Sequence, residues 1–267
     1  MVATEHEPQT VGQLIRFWRT HRRLSQLELA LEANVSTKHL SFVETGRSRP
    51  SRQLLVHLAQ QLDLPMGERN RLLLAGGFAP AYLELPYDGG LMQPLRASLR
   101  RLLDAHQPNP ALIVDGLWNL IEANPAAALL WDGVDPALLE PPINILRLAV
   151  HPDGLPRISS MTAACSTPLI EQLRHKSRDA ADPALGELAD ELESYLPAEP
   201  PAGPATQPMA TLELRTRAGP VRLFTVIATL GAPLEVTAAS LAIETFLPVD
   251  DESAARLQQL AEQAVAD

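Results

Sequence analysis

The residues best suited to chemistry lie close together near the start of the chain. Between Ser25 and Arg49 stand Gln26, Ser36, Thr37, Lys38, His39, Ser41 and Arg47, in the stretch SQLELALEANVSTKHLSFVETGRSR. These are hydroxyls, an amide, an imidazole and cations, the donors and acceptors that hydrogen-bond base edges and phosphate oxygens. The seven His are scattered along the chain, and the single cysteine, Cys165, has no partner for a metal-ligand spacing. There is no dinucleotide fingerprint, no P-loop glycine pattern and no nucleophile elbow. His106, His151 and His175 stand alone, and a lone histidine is usually a surface or satisfied core residue. The expectation is binding rather than catalysis: no enzyme, no catalytic residue, no metal and no cofactor.

Side chains read a nucleic-acid groove only from a rigid scaffold, and the flanking pattern predicts one. From Val11, the apolar residues Leu14, Ile15, Trp18 and Leu24 fall on one helix face. Ser25 stands as an N-cap before QLELALEANV, with Glu28 three residues on to complete a capping box. Ser36 repeats the device before TKHLSFVETG, and Gly46 supplies the stop. Ser51 caps RQLLVHLAQQLDL, Pro65 closes it, and GERNRLLLAGG forms a fifth helix. Ala30 is small where the first helix of the central pair must cross the second. Val35, Leu40 and Val43 dock the second helix, which leaves Thr37, Lys38, His39, Ser41 and Phe42 on or near its outer side. Gln26 and Ser36 sit at helix N-termini, where backbone N–H groups favour a phosphate. For His39 and Phe42 a solvated surface position is as good a reading as a base contact. Glu44 is expected to partner Arg47 or close a helix rather than read a base.

A net charge of −10 argues at first against a nucleic-acid partner. Residues 1–80, however, hold ten Lys and Arg against seven acids, and the remainder 12 against 25. A basic head on an acidic body is expected when only the head meets phosphate.

The order Ser25-Gln26, Leu29-Ala30, Val35-Ser36, Glu44, Gly46-Arg47, Pro50-Ser51 resembles the XRE-type (Cro/C1) helix-turn-helix family. The resemblance spans 10–75. It implies that Thr37, Lys38 and Ser41 face bases in the major groove of double-stranded DNA while Gln26, Ser36, Arg47 and Arg49 hold the backbone.

Two proline-rich breaks, 75–90 and 196–208, divide the chain. The expected domains are 1–80, a linker 81–92, and 93–267 with an internal loop at 196–208. In the second domain ALIVDG and LWNLIEAN read as strands joined at Asp115-Gly116, and NPAAALLWDG as the start of a helix. STPLIEQLRHKSRDA and DPALGELADELESYL are amphipathic helices. A strand pair turning at Ala218-Gly219-Pro220, the strand LAIETFLPV and a C-terminal helix follow. The fold class expected is an all-α five-helix domain followed by an α+β domain around one antiparallel sheet.

ALIVDGLWNLIEANPAAALLW (111–131), following such a helix-turn-helix, is similar to the PAS-like domain of the MmyB-like regulators. So are Asn144-Ile145-Leu146-Arg147-Leu148 with His151-Pro152, and the segment 230–250. That family implies a one-component transcriptional regulator whose pocket takes an apolar, fatty-acid-like ligand. Trp118, Leu130, Trp131, Ile145 and Leu148 either line such a cavity or fill an ordinary core. Asn124 stands among the candidate ligand residues and also caps the helix that Pro125 begins. Arg147 and Arg222 are candidates to meet a carboxylate. Residues 157–168 depart from the family pattern, and Cys165 within them is either a redox sensor or simply packed. A homodimer is expected, since one recognition helix covers a half-site. A cytoplasmic, membrane-free location is expected from the single cysteine, the polar N-terminus and the lack of a long apolar run. The alternative is a DNA-binding protein whose second domain serves only dimerisation or a protein partner.

Overall fold

The computed structural model describes residues 10–159, 163–196 and 211–266, the side chains at 158, 163–166, 265 and 266 excepted. The proline-rich loop beyond Leu196 and the side chain of Cys165 lie outside the described residues. The chain divides into two compact units: 1–85 with 233–239, and 86–232 with 240–267.

Unit 1 contains α1 (Val11–His21), α2 (Gln26–Glu32), α3 (Thr37–Glu44), α4 (Arg52–Gln61) and α5 (Met66–Ala75) among the described residues. The first four start where a Ser or Thr side chain accepts a backbone N–H: Thr10 from Gln13, Ser25 from Glu28, Ser36 from His39, Ser51 from Leu54. Each cap satisfies an amide that no helical carbonyl reaches. At α2 the capping box is complete, and the Ser25 backbone N–H, the main cause, holds the Glu28 carboxyl below its ordinary value. Leu14, Ile15, Trp18, Leu29, Leu40, Val43, Leu55, Leu58 and Leu62 are each at most 2 % exposed and form the core.

Unit 1 also incorporates 233–239. The Glu235 carboxylate accepts the N–H groups of Leu85 (2.8 Å), Thr237 (2.8 Å) and Ala238 (2.7 Å), while Thr237 Oγ1 donates to the Leu85 carbonyl. Burial pushes this carboxyl up, and the three N–H groups outweigh it and hold it below the ordinary range.

Gly12 marks a close backbone approach in this unit. A Cβ there would lie 2.5 Å from the carbonyl oxygens of both Val43 and Glu44, so α1 crosses the end of α3 backbone to backbone. Gly12→Ala should therefore cost about 2 kcal/mol by overpacking. Faster amide exchange across α1 and α3 would report it; unchanged protection would mean the two helices do not cross this tightly.

Unit 2 is built on an antiparallel sheet of β1 (Ala111–Val114), β2 (Leu120–Ala123), β3 (Leu212–Thr216), β4 (Gly219–Thr229) and β5 (Ala242–Pro248). Among the described residues its order is β2-β1-β5-β4-β3. Ala111 and Ile113 face one side with Leu99 and Leu103 of α6 (Gln93–Ala105) and Ile243. Leu112, Val114, Val221, Leu223, Ala242 and Phe246 face the other. There they meet α7 (Ile145–Val150), α9 (Ala163–Ala180), α10 (Pro183–Ser194) and α12 (Asp251–Ala266). The short helix α8 (Leu155–Ile158) completes the set, while α11 (Val236–Ser240) lies almost wholly in the segment 233–239 of unit 1. β1 is therefore buried on both faces, which is why its sequence is a continuous apolar run.

The segment after β2 departs from expectation. Pro125–Leu130 is a 3₁₀ helix rather than the start of an α-helix. It packs against both β1 and β3, strands three places apart in the order, so the sheet must curl around it. An all-α helix-turn-helix unit thus precedes an α+β unit, as the residue pattern implied, and the curled sheet is PAS-like, as the family resemblance implied.

Candidate nucleic-acid interface and ligand groove

In unit 1, α2 and α3 meet through a turn at Ala33-Asn34-Val35. Asn34 adopts a left-handed φ of 50°, and Val35 N–H returns to the Ala30 carbonyl at 2.9 Å. Asparagine tolerates this conformation where a branched residue would not. Ala30 is 1 % exposed beneath the turn, and Leu40 and Val43 pin α3 to the core. This is the geometry that presents α3 as a rigid, half-exposed rod.

Glu44 holds the arrangement together. Its carboxylate accepts Arg19 Nε (2.7 Å) and Nη2 (3.0 Å) and the Gln26 amide (2.8 Å), and Arg19 Nη1 donates to the Leu24 carbonyl at 2.9 Å. Both charged side chains are almost wholly buried, at 10 % and 2 % exposure. The expected Arg47 partner is not the one found. Arg19 lies on the apolar stripe of α1, one residue after Trp18, and that misplaced charge was the signal for a buried pair. Gln26, expected to grip phosphate, has its amide fixed by Glu44.

On the outer side Lys38, Arg47 and Arg49 are exposed and Thr37, His39 and Ser41 half-buried. Lys38 Nζ lies 5.7 Å and Arg47 Cζ 6.0 Å from the Phe42 ring centre, so one aromatic side chain carries a cation on each of two arms. Ser36 spends its hydroxyl as an acceptor for His39 N–H. Lys38, Thr37, Ser41, Arg47 and Arg49 thus share the α3 region, and Phe42 positions two of them.

In unit 2 most residues singled out for ligand contact pack inward. Trp118, Leu130, Ile145 and Leu148 are at most 6 % exposed and belong to the core. Trp118 also has a positive φ of 65°, with Lys176 Nζ 4.9 Å from its ring centre. Asn124 uses its whole amide structurally: Oδ1 accepts from Ala111 and Ala127, and Nδ2 donates to the Leu103 and Asn109 carbonyls. Arg147 is held bidentately by Glu191 at 2.6 and 2.7 Å, and Arg222 pairs with Asp250. The Arg147 hydrogen bond is also the largest cause holding the Glu191 carboxyl below its ordinary value.

Trp131 lines a groove of about 760 Å³. Its apolar wall is Leu129, Leu214, Leu257 and Leu260; Asp132, Arg215 and Arg217 supply its polar groups. The α12 and β3 residues were not anticipated, because their apolar positions read equally well as core.

One further group stands out. Glu244 on β5 is 8 % exposed, and its Oε2 has no hydrogen-bond partner. Strand alternation places it on the face of Ala242 and Phe246, opposite Leu112 of β1 and Ile227 of β4, so none of these four side chains donates or carries charge. Burial alone pushes its carboxyl up to about 7. An acid in the middle of LAIETFLPV was a visible signal.

A recognition helix on a capped five-helix scaffold, followed by a curled sheet with a groove, defines a DNA-binding transcription regulator with a ligand-binding domain. Residues 95–260 match the family model described as the MmyB-like transcription regulator ligand binding domain, and residues 15–69 match a helix-turn-helix model. The chain belongs to the MmyB-like transcription regulators. No curated protein matches it. Among solved structures, an RNA-binding light-oxygen-voltage receptor aligns over 100 % of this chain and 70 % of its own, at 14 % identity. Its TM-score of 0.27 carries no argument. Among the described residues no helix is long and apolar enough to cross a membrane.

Proposed function

We propose that the chain is a cytoplasmic, homodimeric, sequence-specific regulator whose second unit is controlled by a small apolar, fatty-acid-like ligand. The groove beside Trp131 carries this reading. Its volume falls within the range of small-molecule sites, its walls are largely aliphatic, and Arg215 in its lining offers a cation to an anionic head. Ligand shifts DNA binding only by binding two states of the dimer unequally. Native mass spectrometry with lipid extraction tests it: an aliphatic acid should accompany the protein, and Ala261→Trp should displace it. A chain that neither copurifies with nor binds such a molecule overturns the ligand and favours a second unit serving only assembly.

On the DNA side, Thr37, Lys38 and Ser41 face base edges while Arg47 and Arg49 steady the backbone, and Gln26 and Ser36, whose polar groups serve the fold, hold α2 and α3 in place. Arg47→Ala should weaken binding across sequences and reduce the salt slope by about one, and Lys38→Ala should weaken binding and relax specificity as well. Phe42→Ala should weaken it too, because the ring positions both cations. Unchanged affinity and slope in a salt titration would move the interface elsewhere.

A further inference from the structure

We propose that the sheet face around Glu244 is a second binding site in unit 2, taking a small molecule that presents an ammonium or amidinium group on a short apolar body. A buried carboxyl normally has a partner, and Oε2 of Glu244 has none among the described residues. The residues directly opposite it and next along its own strand on that face, Leu112, Ile227, Ala242 and Phe246, offer no side-chain donor. A partner can come from outside, because the strand beside it is exposed. Among the described residues β3 pairs with β4 as far as Leu223, and 225–229 have no partner strand on that side. Thr225, Ile227 and Thr229 pair with Phe246, Glu244 and Ala242 and therefore share their face, yet all three are exposed. Solvent thus reaches the residue directly across from a buried acid, with a hydroxyl-bearing residue on either side.

The chemistry selects a cation. An ammonium donates hydrogen bonds to the carboxylate and cancels the cost of its burial. A carboxylate would meet a like charge. The site is distinct from the groove, whose lining includes no residue of β4 or β5. The excess of acids after residue 80 raises cation concentration near this unit.

The test is calorimetric titration of the full chain at about pH 8, where Glu244 is largely ionised, with hexylammonium chloride, hexanol and sodium hexanoate. Hexylammonium should bind at a single saturable site at least about tenfold more tightly than hexanol, with no hexanoate binding to that site. Glu244→Gln should abolish that preference, and Ile227→Trp, at an exposed position, should weaken binding by obstructing the approach. Hexylammonium binding unaltered in Glu244→Gln would assign it to surface acids and overturn the proposal. So would equal binding of hexanoate, or no saturable binding, which would leave Glu244 a buried carboxyl met only by water. Hexanoate binding confined to the groove bears on the fatty-acid reading alone.

Discussion

Glu44→Ala should be the most damaging single substitution in unit 1, costing about 3–5 kcal/mol. The reason is asymmetric. Arg19 keeps its position on the buried face of α1 but loses both carboxylate bonds, leaving a guanidinium with only the Leu24 carbonyl in place of a full set of acceptors. Gln26 loses its acceptor as well, so the start of α2 loosens beside the recognition helix. Removing the pair together is different: Arg19→Met with Glu44→Leu deletes both charges and leaves no buried charge unpaired, so although Gln26 still lacks its acceptor, much of the loss should be recovered. Amide exchange of α1 to α3 in the full chain measures this. Protection equal to wild type in Glu44→Ala would mean that the ion pair contributes nothing to the unit.

Glu244→Gln should flatten the pH dependence of unit 2. Native Glu244 holds its proton up to about pH 7, whereas an unfolded chain releases it near the ordinary 4.5. The stability associated with the protonated group is fully present below the unfolded value and declines as pH rises through the interval. It ends about 3 kcal/mol lower once both states are ionised. An amide in the same place does not titrate. The difference in unfolding free energy between variant and wild type should therefore move by about 3 kcal/mol in the variant's favour between pH 5 and pH 9. Urea denaturation across that range gives the value. Parallel profiles for the two proteins would show that Glu244 is solvated or paired in the folded state.

The two residues differ in how visible they were. Glu28 and Ser25 announce a capping box because both partners lie within one turn of each other, and the same holds for the caps at Ser36 and Ser51. The left-handed Asn34, the stop at Gly46 and the spacing of Leu29, Ala30, Val35, Leu40 and Val43 are equally local. An arginine beside Trp18 on an apolar stripe was likewise visible as an anomaly. Its partner was not, because Glu44 lies 25 residues away and Arg47 was nearer in sequence.

Unit 2 follows the same division. β1, β2 and β5 could be located from alternating and continuous apolar runs. Which apolar residues pave a groove and which fill a core could not, because Trp131 and Leu130 are adjacent, chemically alike and turned to different surroundings by a 3₁₀ helix. Arg147 looked available for a ligand carboxylate until α10 brought Glu191 against it from 44 positions away.

Sequence alone thus determined the helices, their caps, the recognition segment and the family, since these depend on interactions within a few residues or on residue order itself. Tertiary structure decided which charges are spent within the fold, where a groove remains, and that 233–239 belongs with the helical unit. Burial and long-range pairing set those outcomes, and neither is a property of any residue until the chain has folded around it.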